Sequence, residues 1–89
     1  MSEPGTSLLV FPCDFPIKAF GLRSEGLEER VAAMVRRHAP DLGVDDVSSR
    51  ASGGGKYTAV TVTVRAQSQA QLDAIYQDLS GCPELVMVL

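Results

Sequence analysis

With 89 residues, 45% of them apolar and 21% charged, the chain has the composition of one small folded domain and not of a disordered tail. A net charge of −3 argues against any role that rests on neutralising many phosphates, because non-specific nucleic-acid affinity comes mainly from dense Lys and Arg. No run approaches the roughly 20 apolar residues that span a bilayer, and Met1-Ser2-Glu3-Pro4-Gly5 lacks the basic start of a signal peptide, so a cytoplasmic protein without membrane contact is expected.

Residues 1–14 read as a partly flexible arm, with Pro4, Gly5, Pro12 and Asp14 around the apolar cluster Leu8, Leu9 and Phe11. The folded body, residues 15–89, then opens on an extended segment from Phe15 to Leu22. Ile17 and Ala19 lie on one face of it and Lys18 and Phe20 on the other. Gly21 and Arg23 mark its exit.

From Ser24 to Ala39 the residues Leu27, Val31, Met34, Val35 and His38 recur at helical offsets and form one stripe. Ser24 is the expected N-cap, with Glu25, Glu28 and Glu29 at the positive end of the dipole and Arg36, Arg37 and His38 at the negative end. Pro40 stops the helix.

Val44 to Ser52 alternates weakly and is polar, which suits a sheet edge. Gly53-Gly54-Gly55 supplies a turn. Thr58, Val60, Val62 and Val64 then alternate with Tyr57, Thr61, Thr63 and Arg65, a β-branched pattern that predicts a central strand. Ser68 and Gln71 form a capping box for a second helix carrying Leu72, Ile75, Tyr76 and Leu79, which Gly81 and Pro83 end. Glu84 to Leu89 is a last, apolar strand.

Strand, helix, two strands, helix, strand is the split βαβ pattern, so the expectation is an α+β, ferredoxin-like βαββαβ fold. Its four-stranded antiparallel sheet would have order 4-1-3-2, with both helices on one face. The polar second strand and the apolar last strand then become the edges. The opposite sheet face, with Lys18, Phe20, Tyr57, Thr61, Thr63 and Arg65, is left without cover.

A fold of this kind hosts many functions, so each chemistry is weighed on residues. Iron–sulfur ligation needs a cluster of thiolates, and the chain has two cysteines, Cys13 and Cys82. They stand far apart, without a Cys-x-x-Cys pair, and read as free thiols, with a disulfide left open. A soft-metal carrier would want paired thiolates where Gly21-Leu22-Arg23-Ser24 stands. No cofactor is expected.

A small acylphosphatase-like hydrolase would find a phosphate-binding Arg in Arg23, yet no Asn exists anywhere in the chain to position the attacking water. An RNA-binding module would stack bases on Phe20 and Tyr57, the two rings of the open face, against an unhelpful net charge. His38 is the one histidine, and no sequence spacing places a carboxylate or nucleophile near it, so it reads as the end of the helical stripe and not as a catalytic base. Arg36, Arg37 and His38 form a small basic cluster at a helix end, suited to solvent or to an anion or partner contact. The glycine run before Lys56 leads into a strand and so lacks the helix dipole that a phosphate loop exploits.

Phe11-Pro12 followed by Phe15, Lys18 and Gly21, then Arg37-His38-Ala39-Pro40, Ser52 through Gly55 with Tyr57, Val60-Thr61-Val62, Tyr76 with Leu79, and the terminal Val86-Met87-Val88-Leu89 together resemble the YbeD family of small bacterial proteins. The sequence departs from that family in Gly53-Gly54-Gly55-Lys56, where Gly-Asn-Tyr is usual, and in Ala59, where Ser is usual. The resemblance implies a ferredoxin-like fold akin to ACT regulatory domains, which sense small ligands at dimer interfaces, and a group sometimes described as lipoate regulators. The expected function is therefore a non-catalytic regulatory or interaction domain. Its partner is a small metabolite or a protein, with homodimerisation through the sheet face or an edge strand. The candidate binding residues are Lys18, Phe20, Gly21, Arg23, Arg37, His38 and Tyr57.

Overall fold

The structure is a computed structural model that describes residues 10–89. Its elements run β1 (Cys13–Leu22), α1 (Leu27–Arg36), β2 (Val47–Ser52), β3 (Tyr57–Ala66), α2 (Gln69–Ser80) and β4 (Leu85–Val88). The strands form one antiparallel sheet in the order β2-β3-β1-β4. This is the ferredoxin-like topology that the alternation of periods implied, with the polar β2 and the apolar β4 at the edges. Among the described residues, no helix is long and apolar enough to cross a membrane.

The inner face of the sheet meets the helices in a core of Ile17 and Ala19 from β1, Val60, Val62 and Val64 from β3, Leu27, Val31 and Val35 from α1, and Leu72, Ile75 and Leu79 from α2. All of these are nearly or fully removed from water, and among the described residues no charged or polar side chain is buried with them. Each fully buried Val, Leu or Ile contributes about 1.5–3 kcal/mol, so this cluster is the main stabilising term. Leu42, in the loop after α1, also enters the core, although the chain around it has no periodicity to announce it.

β1 begins at Cys13, two residues before the expected start at Phe15, because Cys13 and Asp14 find partners in Ala66 and Arg65 of β3. Leu8 and Leu9 lie outside the described residues, while Phe11 packs against the core. Pro16 sits inside β1 opposite Thr63 and is tolerated for a reason of register. Lys18 exchanges both backbone bonds with Leu89, at 3.0 and 2.7 Å. Antiparallel alternation therefore turns Pro16, two residues away, towards the same side, past the end of β4, where none of the described strands asks for its missing N–H.

The first helix is shorter than the expected Ser24–Ala39. Its N-cap is Gly26, in the left-handed region at φ 80°, and not Ser24. The hydroxyl of Ser24 accepts from Arg30 Nη2 at 3.1 Å instead. At the other end Arg37 and Ala39 still donate to Ala33 and Val35, so the chain leaves the helix gradually before Pro40. The expected strand from Val44 starts at Val47, because Val44–Asp46 forms a 3-10 turn in which Asp46 accepts from the Gly43 amide at 2.9 Å. The last strand runs Leu85–Val88 and not from Glu84, with Leu89 still bonded to Lys18.

For α2 the Ser68 cap is present, its hydroxyl accepting from the Gln71 amide at 3.1 Å. The reciprocal half of the box differs from the expectation. Gln71 Oε1 accepts from Gln67 N at 2.7 Å, one residue before the cap, and this leaves Gln71 Nε2 to donate to the His38 carbonyl at 2.8 Å.

Candidate functional site

The sequence-predicted residues fall into three places. Lys18, Phe20 and Tyr57 lie on the open sheet face, Tyr57 opposite Leu22 in the row next to Phe20 and Ala59. Gly21 and Arg23 lie at the end of the sheet beside the glycine turn. Arg37 and His38 lie at the far end of α1.

At the sheet end, Gly21 is a buried strand residue and not part of an open loop. A Cβ there would fall 2.7 Å from the Glu84 carbonyl oxygen and 3.2 Å from Leu27 Cδ2. Glycine is thus the residue that lets the chain entering β4 close onto β1. Arg23 is exposed, and its amide donates to the Lys56 carbonyl at 3.0 Å. That bond takes up the Arg23 amide in joining β1 to the hairpin turn, so this amide is not free to cradle a phosphate. Tyr57 is half-buried and packs against Gly53, with Lys56 Nζ 6.0 Å from the ring centre. Gly53, Gly54 and Gly55 all have positive φ, which explains why three successive glycines make this turn.

His38 has the carboxylate partner that its sequence surroundings do not reveal. Its Nε2 lies 2.6 Å from Asp78 Oδ2, and its carbonyl accepts from Gln71. The hydrogen bond from His38, reinforced by the charges of His38 and Arg37 and opposed by partial desolvation, holds the Asp78 carboxyl below its usual range. Both contacts run from the end of α1 to α2, and no Ser, Thr or Cys side chain hydrogen-bonds to the imidazole among the described residues. The cluster therefore clamps two helices together. Arg30 does a similar job at the opposite end, holding Glu84 Oε1 at 2.7 Å, the Ser24 hydroxyl and the Glu25 carbonyl.

The remaining place is the open sheet face. Across the sheet, Arg50 of β2 faces Ala59 of β3, Ala59 faces Phe20 of β1, and Phe20 faces Met87 of β4. The neighbouring row runs Ser48, Thr61, Lys18 and Leu89. No element of the described chain covers these rows. Their character changes from side to side: Leu22, Met87 and Leu89, at 54%, 49% and 60% exposure, make an apolar half with Phe20, while Arg50, Thr61, Ser48 and Lys18 make a polar, cationic half. Between them lies a concavity of about 320 Å³ lined by Lys18, Phe20, Arg50, Ser52, Ala59 and Thr61. Arg50 and Ala59 are not among the sequence-predicted binding residues, Ala59 standing out only as a departure from the YbeD pattern. The hairpin could have indicated them, since the pairing of Ser52 with Tyr57 around the glycine turn sets Arg50 opposite Ala59.

The family model "Protein of unknown function (DUF493)" matches residues 6–89. A UPF0250 protein of Chromobacterium violaceum is 47% identical over 89 residues, covering 100% of both chains. UPF0250 protein NE1487 of Nitrosomonas europaea is 40% identical over 83 residues, which is 93% of this chain and 95% of that one. Among solved structures, protein HP0495 of H. pylori superposes with a TM-score of 0.69 at 12% identity, over 91% of this chain and 85% of that one, a likeness of fold. With a family model over nearly the whole sequence and full-length bacterial relatives at this identity, the chain belongs to the DUF493, or UPF0250, family, the YbeD-like group that its residues resemble.

Proposed function

We propose that the protein is a non-catalytic binding domain of the regulatory kind, which works by association through its open sheet face, in the manner of ACT-like modules. The observation that carries this reading is the apolar half of that face, formed by Phe20, Leu22, Met87 and Leu89. Contiguous exposed apolar side chains on a sheet that no described element covers have the character of an interaction surface. A second copy is the natural occupant. A two-fold packing of one apolar half on the other buries Met87 and Leu89 from both copies and keeps Lys18 and Arg50, which would repel their counterparts, at the wet rim.

The test is sedimentation of the parent chain and of Met87→Lys over a range of concentrations, with the circular dichroism of each as a check of folding. The parent should dimerise with rising concentration while the folded variant stays monomeric. A parent that sediments as a monomer throughout, or a Met87→Lys variant that dimerises as well as the parent, overturns the reading.

A further inference from the structure

The cationic half of the open face calls for an occupant of different chemistry. Of the eight Lys and Arg residues in the chain, Arg30 and Arg65 are neutralised by Glu84 and Asp14. Lys18 and Arg50 are both exposed and, among the described residues, neither has an ion-pair or side-chain hydrogen-bond partner. They stand on β1 and β2, either side of β3, so two interstrand spacings of about 4.8 Å each separate their strands. The β3 residue between Phe20 and Arg50 is Ala59, whose side chain ends at Cβ, and this absence of bulk makes the concavity. Among the described residues no carboxylate lines it, in a chain whose net charge is negative.

We infer that this concavity binds a small organic oxyanion, a carboxylate or phosphate group carried on a compact apolar body. The oxyanion lies between Lys18 and Arg50. The guanidinium presents a planar fork that matches two oxygens, the ammonium adds a point charge, and the hydroxyls of Ser52 and Thr61 supply neutral donors. The apolar body rests on Ala59 and the Phe20 ring. A volume of about 320 Å³ is at the small end of ligand pockets, which span about 300–1,000 Å³, so the ligand is a metabolite-sized molecule and not a polymer segment. The inference rests on the reading that the open face is the working surface, and it does not require self-association.

The experiment is a titration of the isotope-labelled full chain with hexanoate, phenyl phosphate, inorganic phosphate and hexanamide at low salt, read by amide chemical shifts. Hexanoate, phenyl phosphate or both should produce saturable shifts at Lys18, Phe20, Arg50, Ala59 and Thr61, and which of the two binds assigns the oxyanion as carboxylate or phosphate. Affinity should fall at least tenfold in the double variant Lys18→Gln, Arg50→Gln, whose changes are confined to exposed side chains, and again in Ala59→Leu, which fills the depression. The inference is overturned if neither anion gives saturable shifts, if hexanamide or inorganic phosphate binds as well as the best of them, or if the double variant binds like the parent. A single-stranded oligonucleotide that binds more tightly than phenyl phosphate at the same salt also overturns it, in favour of an RNA surface. Sedimentation of the unliganded chain reports on the association reading separately, so the two can fail independently.

Discussion

His38 Nε2 lies 2.6 Å from Asp78 Oδ2, across 40 positions of sequence, and joins the end of α1 to α2. The contact has a pH signature. Because the folded Asp78 carboxyl is held below its ordinary value of 3.8, first by the His38 hydrogen bond, its contribution to stability is fully present above that value and is lost as pH falls through the lower, folded one. Asp78→Asn should therefore flatten the acid limb of a stability–pH profile, and His38→Ala should return the Asp78 carboxyl towards 3.8 in a carboxyl-detected titration. An Asp78 that titrates identically in parent and His38→Ala would show that the clamp does not form.

Gly21→Ala should destabilise the domain. The added methyl meets the backbone oxygen of Glu84 at 2.7 Å, and backbone cannot swing aside as a flexible side chain would. Overpacking of this kind costs about 1–3 kcal/mol, to be read from a urea midpoint at unchanged slope. A neutral result would mean that β4 does not close onto β1 at this residue.

Ser68→Ala removes the hydroxyl that accepts from the Gln71 amide and should cost about 0.5–2 kcal/mol, the usual range for an N-cap. Ser24→Ala should have no capping effect of that size, because its hydroxyl serves Arg30 and not the first turn of α1. The pair of urea midpoints checks the cap assignments directly.

Gly26→Ala tests the other helix start. At φ 80° a non-glycine residue pays about 1–2 kcal/mol, and here the Cβ would also approach Arg30 Nη1 at 2.8 Å. The expected outcome is a lower melting temperature together with loss of the Arg30 side-chain resonances that report its contact with Glu84.

Periods and punctuation made most of the fold legible. The alternation of Val60, Val62 and Val64, the stripes through Val31 and Ile75, and the stops at Pro40 and Gly81 are local signals, and they place β3, both helices and their exits. The helix start differs because Ser24, although it has the right chemistry for a cap, gives its hydroxyl to Arg30, which also reaches Glu84, 54 residues away. The His38 clamp was invisible for the same reason. At the open face, alternation alone put Lys18 and Phe20 together and the glycine hairpin sets Arg50 opposite Ala59, but bringing that pair beside Phe20 and Met87 is a matter of register between strands distant in sequence, which side-chain periodicity does not fix.

Pro16 carries a consequence for what this sheet can recruit. The Cys13–Ile17 stretch of β1 has β3 as its neighbour on one side and, among the described strands, none on the other. An unpaired stretch of that length would ordinarily be a template for strand addition by another molecule. Here its outward positions are Asp14 and Pro16, one charged and one without a donor, so an incoming chain would gain at most a broken ladder. At that flank of β1, as the described strands leave it, the proline thus withholds one of the ladder bonds that strand addition by another molecule would need.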